Sequence, residues 1–335
     1  MITHLLARVA RPLLAGAIVL GTLAIPIAPP SHAASLHKVT LWLDWLPNSD
    51  HAGIYVAMAK GYYAAAGLQV NPQVPSGAAD ALRLVTHGNG DIAISYESSV
   101  LLARDQGIPA TATAAIVQRP LNAVLALAGT GITRPRQLEG HTVGVAGDPS
   151  DYTDLKALLS HDGGDYAKVH IVNVGYNLLP ALLAHRVDAI IGAYWTWEAL
   201  QAAQKGVKVN ALRLDQWGVP TYNELVFVTG PGQLKSESGI LAAFQRATFR
   251  GYAYAAAHPA EATAILLKAP GVLSNSASLI QHSIELLGPL FHDSHGRYGV
   301  MSTSAWQAYA NWMTANRLLP DHLDAGKALT LRLLP

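Results

Sequence analysis

Cysteine is missing from all 335 residues of the chain. Its absence excludes disulfides, thiolate metal sites, a cysteine nucleophile and a lipid-bearing cysteine behind a processed N-terminus. Charge is also scarce: Asp, Glu, Lys and Arg make up 13% of the residues, and 23 basic side chains nearly balance 22 acidic ones. No run of Lys or Arg offers a surface to nucleic acid. A Gly-rich phosphate loop and a Gly-x-Ser-x-Gly elbow are missing as well. These gaps point to a small, weakly charged molecule as the expected partner.

Apolar residues form 50% of the chain, enough for two cores, and the length suits two domains better than one. The first 33 residues read as a signal peptide. Arg8 and Arg11 make a basic start, Leu13 to Ile27 an apolar stretch short and broken by proline, and Ser31-His32-Ala33 a small-x-small cleavage site. Export to a bacterial periplasm as a free, monomeric protein is expected, with no membrane insertion of the mature chain.

Apolar runs alternate with amphipathic stretches from end to end. Strands are expected at 38–44, 68–74, 91–95, 111–117 and 123–128, with helices at 52–66, 77–87 and 97–106 between them. This βαβα order predicts a parallel sheet with right-handed crossovers. A second series follows, with strands at 142–146, 169–174, 187–192 and 207–213 and helices at 150–161, 177–185 and 194–204. Leu225 to Thr229 resumes the first pattern, and helices at 237–257, 259–268, 276–290 and 302–315 complete the chain. Two series with a late return predict an α/β protein of two lobes, 34–128 plus 225–335 and 129–224. The joining crossings are expected near Ala128–Gly131 and Thr221–Leu225.

The segment Leu43-Asp44-Trp45-Leu46-Pro47-Asn48-Ser49-Asp50-His51 sits where the first strand ends and the first helix begins. Ligands of open α/β sheets bind at such places. With Asp91 to Ala103, Asn173 to Leu182, Val187 to Ala193 and Tyr222 to Val226, it resembles the periplasmic binding proteins for thiamine-pyrimidine precursors (the ThiY-like group) and the related fungal pyrimidine precursor synthases. The likeness covers nearly the whole mature chain in one order. It implies a bilobal, type II periplasmic binding protein with its ligand in the interlobe cleft, serving the permease subunits of an ABC importer.

A flat heterocycle needs rings above and below it and a few donors and acceptors in its plane. Trp45, Tyr96, Tyr194, Trp195 and Tyr222 stand at expected strand ends, where each either packs in a core or faces a ligand. The resemblance weighs Trp45 and Tyr96 toward the ligand. Trp197, at helical spacing, is expected in the core. Glu198 is the sharpest acidic candidate, since a carboxylate accepts from an exocyclic amine and a ring N–H, although a first-turn glutamate also suits a helix dipole. Asp44, Asn48 and His51 either shape the cleft entrance or bend and cap the turn. Glu224, near the second crossing, either lines the cleft or pairs with a lysine. Asp148-Pro149-Ser150 offers an anion site at a helix start, although capping explains Ser150 more simply. His292-Asp293-Ser294-His295 reads as a solvated loop, and no metal or cofactor is expected.

The resemblance spans binders and enzymes. The synthases need a lysine, a nearby histidine and a Cys-rich segment. Aligned on Asp91-Ile92-Ala93-Ile94, those positions hold Ser95 and Ser99, and Thr221 to Val228 contains no cysteine. A binder is therefore expected, not an enzyme. Its ligand is expected to be an aminopyrimidine with a hydroxymethyl, aminomethyl or formylaminomethyl arm. A sulfonate, nitrate or taurine-type anion and another heterocycle are the alternatives. An anion wants arginines and helix N-termini, and only Arg119 lies near a first-lobe strand end.

Overall fold

A computed structural model describes residues 35–274, 276–320 and 323–334; the expected signal peptide lies outside the described residues. The first series runs β1 (His37–Trp42), α1 (Ala52–Ala59), α2 (Tyr62–Ala65), β2 (Leu68–Gln73), α3 (Asp80–Thr86), β3 (Ile92–Ser95), α4 (Glu97–Asp105) and β4 (Thr111–Val117). The second runs β5 (Asn122–Leu127), β6 (Thr142–Val145), α5 (Pro149–His161), β7 (His170–Asn173), α6 (Leu178–Leu183), β8 (Ala189–Tyr194), α7 (Glu198–Gln204) and β9 (Val209–Arg213). After β10 (Leu225–Thr229) come α8 (Pro231–Ser236), α9 (Ser238–Ala257), α10 (Pro259–Leu266), α11 (Ala277–Leu287) and α12 (Thr303–Ala315).

The strands form two sheets of the same design, ordered β2-β1-β3-β10-β4 and β7-β6-β8-β5-β9. Each has four strands in one direction and one reversed, β10 in the first and β5 in the second. This corrects the all-parallel expectation. The reversed strand is the one that arrives from the other sheet. It enters beside the C-terminal ends of its neighbours, so it must run against them: Val226 pairs with Ser95 at the end of β3, and Asn122 with Tyr194 at the end of β8.

The strand at 122–127 therefore belongs to the second sheet, not the first, and the first crossing lies at Gln118–Leu121, not near Ala128–Gly131. Hydropathy cannot separate these choices, because β4 and β5 are both apolar and only Gln118-Arg119-Pro120-Leu121 lies between them. The stretch read as one helix at 52–66 divides at Gly61, whose φ of 69° breaks the helix. Likewise α7 starts at Glu198, so Tyr194 closes β8 and Trp195 to Trp197 form a turn.

Buried β1 residues Val39 and Leu41 alternate with more exposed neighbours, as a half-covered strand requires. That face meets α1 and α9, which cross at two glycines. A Cβ on Gly251 would lie 2.0 Å from the Gly53 carbonyl oxygen, and one on Gly53 would enter the Tyr252 ring. Close backbone approach sets this crossing. Gly251→Ala is expected to cost about 1–3 kcal/mol through overpacking, read as a lower chemical-denaturation midpoint. An unchanged midpoint would contradict the described contact.

Candidate functional site

The cleft is floored by the C-terminal ends of strands from both sheets, the position expected for ligands in open α/β sheets. Asp44 and Trp45 follow β1, and Tyr96 follows β3 at the N-cap of α4. From the second sheet come Ala146 and Asp148 after β6, Tyr176 after β7, and Gly192 and Tyr194 on β8.

One chamber is lined by Asp44, Trp45, Tyr96, Tyr176 and Tyr194 among others. Trp45 and Tyr176 face each other across the lobes with ring centres 6.3 Å apart and planes tilted by 53°. Asp44 is held from two sides. The Asn48 amide donates to His51 Nδ1 (3.2 Å), which leaves the ring proton on Nε2 to donate to Asp44 Oδ1 at 2.9 Å. Tyr96 donates its hydroxyl to Asp44 Oδ2 at 3.2 Å. A buried carboxylate fixed in this way is an oriented acceptor beside aromatic walls.

A second chamber adjoins the first, sharing Ala78, Tyr96, Ala146, Gly192 and Tyr194, and adds Asn122, Asp148, Ser150, Asp151 and Glu224. Asp148 caps α5 and accepts from Ser99 Oγ (2.5 Å), the Ser150 amide (2.9 Å) and Ser150 Oγ (2.7 Å). Asp151 accepts from the Gly147 amide at 3.0 Å. A Cβ at position 192 would lie 2.7 Å from Asp151 Oδ1, and Gly192 has φ of 85°, so glycine is required there twice over. Among the described residues, neither chamber has a Lys, Arg or His in its lining.

Of the residues singled out in the sequence, Asp44, Trp45, Tyr96, Tyr194 and Glu224 line the chambers. The others stand behind them. Asn48 caps the turn by accepting from the Asp50 amide, and His51 supports Asp44. Glu198 accepts from the Tyr194 amide at 2.7 Å, so it positions that ring from beneath; its Oε1 is buried without a partner. Tyr222 donates to Glu224 and stacks on Tyr309, while Trp195 donates to the Pro120 carbonyl at the first crossing. Trp197 is buried in the core.

Tyr176, Asn122, Asp148 and Asp151 were not foreseen as lining. One signal was available: Asp148, Asp151 and Asp154, three apart, share one face of α5. The helix start at Asp148-Pro149-Ser150 takes its own buried carboxylate as cap, which corrects the suggestion of an anion there. At His292 to His295, Asp293 is occupied by Arg297 and by backbone amides.

Two α/β lobes around a cleft of strand ends are the fold of the periplasmic binding proteins. The solved alkanesulfonate-binding protein SsuA from Xanthomonas axonopodis pv. citri aligns with a TM-score of 0.70, covering 89% of this chain and 99% of that one at 13% identity, a likeness of fold alone. In sequence the chain belongs to the family described as NMT1/THI5 like, which it matches over residues 48–262. It is 32% identical to a formylaminopyrimidine-binding protein of Halalkalibacterium halodurans over 300 residues, 88% of this chain and 90% of the relative. It is 30% identical to the riboflavin-binding protein RibY of Chloroflexus aurantiacus over 332 residues, 93% and 91% of the two chains.

Burial dominates the titration of the acids around the cleft. It pushes Glu97 up to about 8 and Glu198 and Glu224 up to about 7 from an ordinary 4.5, against the pull of backbone amides that favour the charged forms. Asp151 rises well above the carboxylate range, first through burial and then through the charge of Asp148. A carboxyl whose pKa rises on folding holds its proton better in the folded chain. Its favourable contribution is therefore complete below the unfolded value and lost as pH climbs through the folded one. Without ligand, the melting temperature is expected to fall between about pH 5 and about pH 8, and Glu97→Gln to flatten that slope. A flat or rising wild-type curve over this window would contradict the burial of these acids.

Proposed function

We propose that the protein is the solute-binding component of an ABC importer, capturing a 4-aminopyrimidine precursor of thiamine in the periplasm and handing it unchanged to the permease. One observation carries the reading: the chambers combine aromatic walls with the carboxyls of Asp44, Asp148, Asp151 and Glu224, and among the described residues their lining holds no basic side chain. The name of the Halalkalibacterium relative supports the same ligand class.

The ring packs in the chamber that Trp45 and Tyr176 wall from opposite lobes, with Tyr96 and Tyr194 at its edges. Each aromatic contact contributes about 0.5–1.5 kcal/mol beyond the area it buries. Asp44, fixed by His51 and Tyr96, accepts from the exocyclic amine. The lobes are residues 36–117 with 225–334, and 122–213, joined by crossings at 118–121 and 214–224.

A sulfonate or nitrate is a poor fit. An anion finds no guanidinium or ammonium among the described lining residues to pair with it. The synthase reaction lacks its groups: Ser95 and Ser99 stand in place of the lysine and histidine, and Ser99 is bound to Asp148.

Calorimetry tests the anchor. Asp44→Asn keeps the shape but removes the charge that accepts the amine, and is expected to cost about 1.5–3 kcal/mol, about ten- to over a hundredfold in Kd. Trp45→Ala should weaken flat ligands in general, with or without the amine. An Asp44→Asn protein that binds aminopyrimidine as tightly as the parent, or a parent that prefers an alkanesulfonate, would overturn the reading.

A further inference from the structure

The polar chamber contains more acceptor capacity than a neutral ligand can use. Asp148, Asp151 and Glu224 are all more than nine-tenths buried, and all line it. Their hydrogen bonds are one-sided. Asp148 accepts its three through Oδ1, and Glu224 accepts from Leu121, Asn122 and Tyr222 through Oε2. Asp148 Oδ2 and Glu224 Oε1 accept from no described residue, and neither is among the atoms sealed from solvent without a partner. Tyr194, 6% exposed, lines both chambers with a hydroxyl that no described residue bonds. Glu224 and Tyr194 line only the cleft chambers, while Asp148 also lines a neighbouring hollow with Arg83.

We infer that this chamber receives a protonated primary amine on the arm of the ligand, so that the chain selects an aminopyrimidine bearing an ammonium group over one bearing a hydroxyl or an N-formyl group in its place. The inference rests on the aminopyrimidine reading of the adjoining chamber. An ammonium has three donors and no acceptor, and its charge favours the ionised forms of Asp148, Asp151 and Glu224 against the burial that raises their pKa. A hydroxyl or a formylamino N–H supplies one donor and no charge. Position 192 must stay glycine for Asp151 to sit at this wall, so the chamber's geometry is built into the backbone of β8.

The test is calorimetry at about neutral pH with three ligands that share one 4-aminopyrimidine ring and carry an aminomethyl, a hydroxymethyl or a formylaminomethyl arm. A charge-assisted contact predicts the aminomethyl compound bound about ten- to a hundredfold more tightly than the other two. In Asp151→Asn and Glu224→Gln the ratio should fall toward one. Equal or tighter binding of a neutral-armed compound by the wild-type protein overturns the inference, whether or not the variants fold. So does a ratio that both folded variants leave unchanged. Benzylamine against benzyl alcohol separates the two levels of the argument: a preference for benzylamine when no pyrimidine binds keeps the amine chamber and overturns the pyrimidine. No preference and no pyrimidine binding overturn both.

Discussion

The Glu224 carboxylate accepts from the backbone of Leu121 at 2.6 Å and of Asn122 at 3.1 Å, and from the Tyr222 hydroxyl at 3.1 Å. Leu121 and Asn122 are where the chain leaves the first sheet, and Glu224 is where it returns. One side chain therefore ties the two crossings together and also forms a wall of the cleft. Glu97 adds a parallel tie by accepting from the Asn223 amide at 2.7 Å, and Trp306 donates to the Asn223 side chain. The relative placement of the two sheets, and so of Trp45 and Tyr176, depends on these buried acceptors. Loss of such a partner leaves backbone donors unpaired in a dry place, which costs more than the bond's net worth.

Much of the cleft follows from that joint. Reversed strands β5 and β10 start at it, and their pairing with β8 and β3 brings Tyr194 and Tyr96 to the same cleft. Acids crowd where the lobes meet, and burial holds them above their ordinary pKa values. That crowding is a cost in the empty protein. A ligand with donors and no negative charge relieves it, whereas an anion adds to it. Solved neighbours with the same fold include an alkanesulfonate-binding protein, so the fold permits either kind of ligand and the lining decides.

Element order was legible from periodicity because strands such as β4 are short, apolar and bounded by Gly and Pro. Which sheet each strand joins was not. β5 looks like the next strand of the first series, and only the crossing at Gln118–Leu121 moves it to the other sheet. Trp45, Tyr96 and Tyr194 could be read because they close strands that feed the cleft. Tyr176 could not, since Gly175-Tyr176-Asn177 reads as an ordinary turn until Trp45 is opposite it. Glu198 shows the reverse error of emphasis: an acid beside three aromatic residues invites a ligand role, yet its nearer oxygen already holds the Tyr194 amide. Local sequence places a residue at a strand end; it does not say whether the side chain points to the ligand or to the backbone that supports it.

The central claim is that this cleft holds an aminopyrimidine rather than an anion. The most direct measurement is mass spectrometry of whatever is released on denaturing protein purified from periplasmic extract without exposure to added ligand. A small basic heterocycle with the mass of an aminopyrimidine is the expected result. A sulfonate or another anion released in stoichiometric amount would contradict the account.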